Sequence, residues 1–178
     1  EGYLAFAADL LSLVGGTPAS EDAARDLHAK MNQDDAVAAL VAGVSFLKQH
    51  AESTGKVGAV GFCFGGLMIN RLAASSPELD AGVAYYGRPV PAALVPNIKA
   101  ALLLHYAEKD DGVNAGIPAY EAALKANNKK FTMHSYPGTQ HAFNNDTGAA
   151  RYNEAAAKLG WGRTVAFFKE NLGSPPRA

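Results

Sequence analysis

The stretch Gly61-Phe62-Cys63-Phe64-Gly65-Gly66 constrains this chain more than any other feature. It follows the short apolar run Val57 to Phe62 and precedes a segment with helical periodicity. The pattern is G-x-C-x-G, a nucleophile elbow, with the chain's single cysteine at the apex. A side chain at the tip of so sharp a strand-to-helix turn is forced into strained backbone, so its flanking positions must be small. Gly61 and Gly65 meet that demand. The turn also aims the sulfur at the positive end of the next helix, which favours thiolate. A strand that runs into a helix through such a turn belongs in an α/β sheet. The competing reading of a lone cysteine is a small buried hydrophobe.

The rest of the chain supplies the alternation that such a sheet needs. Val37, Leu40, Val41, Val44 and Leu47 recur at helical spacing and predict a helix from Asp34 to His50. After the elbow come a helix to Ser75, apolar strands at Ala81 to Tyr86 and Ala100 to Tyr106, a helix at Ile117 to Asn127, a strand at Phe131 to Tyr136, and a helix at Arg151 to Leu172. Tyr3 to Phe6 reads as the start of another strand, and Thr17-Pro18 as a helix cap with its first helical residue. Continuous apolar strands suit a parallel sheet covered on both faces. The expected fold is therefore α/β, a mostly parallel open sheet with helices on both faces, spanning residues 1–178 as one domain with a frayed tail from 173 to 178.

Sixteen basic and seventeen acidic residues leave a net charge of −1, with no basic run, so nucleic acid and anionic membranes are not expected partners. One cysteine excludes an internal disulfide. The histidines and the cysteine lack the paired spacings of zinc sites, so neither a metal nor an organic cofactor is expected. No apolar run reaches the length of a membrane span. The default compartment is the cytoplasm, with a leader removed ahead of Glu1 left open.

Active sites of open parallel sheets lie beyond the carboxyl ends of the strands. Downstream of Cys63, one such end runs into Glu108-Lys109-Asp110-Asp111 and another into Pro137-Gly138-Thr139-Gln140-His141. The chain order nucleophile, acid, histidine is that of the α/β hydrolases. Asp110 is the preferred acid, with Glu108 and Asp111 as rivals, and His141 is the candidate base. His105 falls inside a predicted strand and reads as a satisfied core residue, while His28, His50 and His134 read as surface. Phe62, Phe64 and Phe143 are candidates for an apolar pocket, and Tyr85 and Tyr86, at a strand end, for substrate contact.

Three stretches, Gly61 to Gly66, His105 to Asp110 and Gln140-His141-Ala142-Phe143-Asn144-Asn145, resemble the dienelactone hydrolase family, a cysteine-dependent branch of the α/β hydrolases. The similarity runs from Glu1 to Lys169. It implies hydrolysis of a small ester or lactone, with Cys63 as nucleophile, Asp110 as orienting acid, His141 as base and the Phe64 backbone N–H as one oxyanion donor. Two departures stand out. The family's chain begins earlier, with strands that include a central one beside the elbow strand, a loop carrying a second oxyanion donor, and a glutamate that tunes the resting cysteine. An α/β-hydrolase fold lacking its first strands is thus expected, with the elbow strand paired either by Tyr3 to Leu10 or by a second copy in a homodimer. The second departure is Asn145, which stands where founding members carry the arginine that holds a lactone carboxylate. The rival functions are a non-enzymatic binding or oligomerisation module built on a truncated hydrolase fold, and a glutamine-amidotransferase-like cysteine enzyme. The latter requires a glutamate two residues after the histidine, where this chain has Phe143.

Overall fold

The computed structural model describes residues 1–173. They form two compact units, Leu4–Gly55 and a larger one built from Glu1–Tyr3 with Lys56 onward. The expected frayed tail lies outside the described residues from 174 on.

In the smaller unit, a 3₁₀ turn at Leu10–Val14 precedes α1 (Glu21–Lys30) and α2 (Gln33–Gln49). Each helix starts where a side-chain oxygen can accept an orphan amide. Ser20 accepts the N–H of Ala23, and Asn32 accepts those of Asp34 and Asp35. Thr17 is not the cap; its hydroxyl donates to Asp9 at 2.9 Å, so Pro18 lies outside the helix. Tyr3 to Phe6 forms no strand. Phe6 instead packs on Phe46 at 5.7 Å between ring centroids, in contact range of the α-carbon side of Gly43. A four-residue apolar run reads as a strand, but it becomes one only with a hydrogen-bonded neighbour.

The larger unit contains a parallel sheet of β1 (Gly58–Phe62), β2 (Ala81–Tyr85), β3 (Ala101–Lys109) and β4 (Phe131–Gln140), ordered β1-β2-β3-β4. All three pairings are parallel. Between the strands lie α3 (Phe64–Ser75), a 3₁₀ turn at Ala92–Asn97 that no periodicity announced, the single-turn α4 (Asp111–Asn114) and α5 (Ile117–Ala126); α6 (Glu154–Leu172) comes after β4. Strand parity shows that the sheet is covered on both faces. A Cβ on Gly58 would strike Phe168 and Leu172 of α6 at 2.7 Å, and one on Gly61, on the opposite face, would strike Ile69 of α3 at 2.9 Å. These positions are glycine because helices press directly on the strand. The α/β architecture is the expected one, and each strand begins within a residue of its expected start.

Two sheet features depart from expectation. β3 and β4 each run past their expected ends, through a register shift between Ala107 and Lys109. In addition, β1 pairs only with β2 among the described residues, so pairing by Tyr3 to Leu10 does not occur. Val60 and Phe62 of β1 are 37% and 38% exposed.

Under α6 lies a fully satisfied polar cluster. His105, completely buried, bonds Tyr136 through Nδ1 at 2.7 Å and Thr164 through Nε2 at 3.2 Å. Proton counting fixes its tautomer. The Thr164 hydroxyl spends its one hydrogen on the Gly160 carbonyl at 3.0 Å, so both the Tyr85 hydroxyl at 2.8 Å and His105 Nε2–H must donate to it. His105 Nδ1 is then the acceptor of the Tyr136 O–H. Burial first, with His134 and Arg163 nearby, pushes the His105 imidazole down to about 3, so it is held neutral. The expected core role of His105 is the observed one.

Candidate active site

Cys63 links β1 to α3 with φ +54° and ψ −115°, backbone that a non-glycine residue adopts only when its surroundings enforce it. Its N–H donates to the Tyr85 carbonyl at 3.1 Å, and its own carbonyl accepts from Leu67 at 3.1 Å. Close backbone approaches enforce the rest. A Cβ on Gly61 would sit 2.2 Å from the Gly65 carbonyl oxygen. Gly65 itself has open space around that position, so smallness there is not what the turn requires. The second tight contact is Gly66 against Gly87: a Cβ on Gly66 would meet the Gly87 Cα at 2.9 Å, and one on Gly87 the Gly66 carbonyl carbon at 2.2 Å. The helix therefore rests directly on the exit of β2.

The orienting pair is formed by the ends of β3 and β4. His141 Nδ1 lies 2.6 Å from Asp110 Oδ2. A carboxylate offers only lone pairs, so Nδ1 carries the hydrogen, and in the neutral ring Nε2 is the nitrogen that presents a lone pair. Asp110 precedes α4 but its side chain makes no cap bond there, which leaves the carboxylate for His141. The carboxylate is well sheltered, at 10% side-chain exposure, and the imidazole is a third exposed. Of the rival acids, Glu108 accepts the Gly138 N–H at 2.7 Å and Asp111 is the first residue of α4.

Cys63, Asp110 and His141 share a pocket of about 320 Å³ with Phe64, Leu67, Tyr86, Arg88, Gly112 and Val113. Burial pushes the Cys63 thiol up; the Arg151 charge opposes this, and Asp110 adds to it. Desolvation thus works against the thiolate that the helix end would favour. Phe64 opens α3, so its N–H points out along the N-terminal end of the helix. Tyr86, at φ +38°, places its ring 5.0 Å from that of His141 and donates its backbone N–H to the His105 carbonyl at 2.6 Å.

The structure separates the remaining candidates from the pocket. Tyr85 is buried, its hydroxyl bound to Thr164. Phe143 is completely buried against Tyr86 and Tyr136. Phe62 stacks on Tyr85 at 4.6 Å on the β1 edge. Asn145 closes its own turn by accepting the N–H and hydroxyl of Thr147. Alternation explains the first three: Tyr85 and Phe62 share the α6-facing side of the sheet, and Phe143 folds back onto it. Sequence reasoning missed Leu67, one turn after Cys63, whose spacing from the elbow was the available signal; Arg88, two residues after Tyr86 and one of two cations the sequence offers in place of the family's arginine, also lines the pocket. Among the described residues no group of His, Cys, Asp and Glu could hold a metal ion, and no helix is long and apolar enough to cross a membrane.

Comparison with known proteins agrees with the α/β architecture. A relative from Aquifex pyrophilus, named protein usf, is 37% identical over 97% of this chain and 77% of its own. A Saccharolobus solfataricus protein, provisionally named a carboxymethylenebutenolidase, is 37% identical over 64% of this chain; the match spans 44% of its length. Among solved structures, a provisionally named dienelactone hydrolase from Klebsiella pneumoniae superposes with TM-score 0.77 and 27% identity, covering 90% of this chain and 72% of that one. The family model described as dienelactone hydrolase matches residues 1–172, and the chain belongs to the dienelactone hydrolase family.

Proposed function

We propose that this chain hydrolyses small carboxylic esters or lactones through an acyl-cysteine intermediate. The observation that carries the reading is the 2.6 Å Asp110–His141 pair opening into the pocket that holds Cys63 on its strained turn. The sulfur rests as a thiol, since burial pushes it up, so the base must act during attack. His141 Nε2 takes the thiol proton as sulfur bonds to the substrate carbonyl carbon, and Asp110 steadies the imidazolium. The Phe64 N–H stabilises the oxyanion together with a second donor not assigned within these residues. The imidazolium returns its proton to the leaving alcohol, giving a thioester. Water then gives a proton to His141 and its oxygen to the acyl carbon, and thiol and acid are released.

Hydrolysis of short-chain nitrophenyl esters by the purified chain, with and without a thiol alkylator, tests this. Turnover abolished by alkylation supports it; no turnover at any pH between 6 and 9 (about the range over which His and Cys change charge) would return the chain to the binding-module reading. The edge of β1 that pairs with no strand among the described residues, with Val60 and Phe62 exposed beside it, supports pairing with a second copy in a homodimer. Light scattering that reports a monomer at tens of micromolar (about the range in which specific dimers form) removes that part of the proposal.

A further inference from the structure

We propose that Glu108 is a positioning residue that sets the geometry of His141 against Asp110; this rests on reading those two as base and orienting acid. Ala107 pairs with Tyr136 and Lys109 with Gln140, so a single residue of β3, Glu108, faces three residues of β4, Pro137, Gly138 and Thr139. Such a bulge bends a strand end and re-aims the next residues of the chain. His141 is the residue re-aimed here, one position after the pairing resumes.

The bulge is held from both sides. Glu108 Oε2 accepts the Gly138 N–H at 2.7 Å, with Gly138 in the left-handed region at φ +74°. The buried Thr139 hydroxyl donates to the Tyr136 carbonyl at 2.7 Å across the same excursion. Behind Glu108, Asn114 Nδ2 donates to the carbonyls of Ala107 at 2.9 Å and Glu108 at 3.1 Å, fixing the backbone from which the carboxylate reaches. The Asp110 carbonyl in turn accepts the N–H groups of Val113 and Asn114. Glu108 thus ties the strand end that delivers the acid to the strand end that delivers the base. It does not line the pocket, so it acts through His141 and not on substrate.

The test compares Glu108→Ala, Glu108→Gln, Asp110→Asn and the Glu108→Ala/Asp110→Asn pair, measuring kcat and KM on a nitrophenyl ester and the imidazole nitrogen signals of His141 by NMR. The bond is solvent-exposed, so Glu108→Ala should lower kcat about three- to tenfold with little change in KM. Glu108→Gln, which keeps an acceptor oxygen, should recover most of that loss. The His141 signals should shift or broaden in Glu108→Ala while those of His105 stay in place. The Glu108→Ala loss should also shrink in the Asp110→Asn background, since there is then no pair to align. Wild-type kcat in Glu108→Ala, a Gln variant as poor as Ala, an undisturbed His141 signal, or full additivity in the double variant would each overturn the proposal alone. Wild-type turnover in Asp110→Asn would overturn the reading of the site and this proposal with it.

Discussion

His105 lies in the middle of β3 and His141 directly after the end of the neighbouring β4, and their surroundings divide one side chain into two roles. Both ring nitrogens of His105 are committed, in a buried cluster where every hydrogen has an assigned acceptor. His141 has one nitrogen committed, to Asp110, and the other facing a pocket. A histidine with both nitrogens bonded and no water contributes to the folded state; one with a single bonded nitrogen and access to solvent can move a proton. The difference lies in what the partners leave over, not in the imidazole.

Substitution breaks the comparison most sharply at the second site. His141→Ala should lower ester turnover by about a thousandfold or more, as loss of a triad base does, and leave urea stability within about 0.5 kcal/mol. Turnover within tenfold of wild type would mean that the pair is not catalytic. The converse holds at the first site. His105→Ala strips the Tyr136 hydroxyl of its acceptor and opens a void, at a cost of about 2–4 kcal/mol in a denaturant titration, with turnover per folded molecule little changed. Equal losses of stability and turnover at both sites would erase the distinction.

A pH series sharpens it. The folded-state value of His105 is about 3, below the ordinary 6.5, so below pH 6.5 the unfolded chain binds a proton that the folded chain refuses. Its contribution is therefore intact above pH 6.5 and is lost as pH falls towards 3, at about 1.4 kcal/mol per unit. The difference in stability between wild type and His105→Ala should narrow over that window. A constant difference would show that His105 is not held neutral. The smallest expected effect concerns substrate charge. With Asn145 bound into its own turn, neutral esters should outperform anionic lactones by about tenfold, the low end for a missing charged contact. A preference for anions that vanishes in Arg88→Gln would assign that contact to the pocket arginine.

Much of this was legible because it is local. Apolar runs and helical spacing located every strand of the sheet, and order at strand ends brought forward Cys63, His141 and the acids Glu108, Asp110 and Asp111, with Asp110 preferred. What escaped depended on partners distant in sequence. Tyr3 to Phe6 has strand composition but no neighbouring strand to pair with. Leu67 lines the pocket on a helix that rests against the β2 exit, through the contact of Gly66 with Gly87. Phe143 leaves it because Ala142 turns at φ +68° and folds the ring into the core. The thiol's protonation depends on burial, which a helix-dipole argument from sequence cannot weigh.

The contact between Gly66 and Gly87 also makes the nucleophile turn and the β2 exit one mechanical part. The turn at Cys63 cannot tilt without carrying Tyr86 and the start of the Arg88 segment, and neither side can accept even a methyl group. A mutational library aimed at substrate scope would therefore find positions 61, 66 and 87 barren, although none of the three lines the pocket. Variation that changes what the pocket accepts is confined to lining positions outside this contact and the Cys63, Asp110 and His141 set, such as Leu67, Arg88 and Val113, where a side chain lines the cavity.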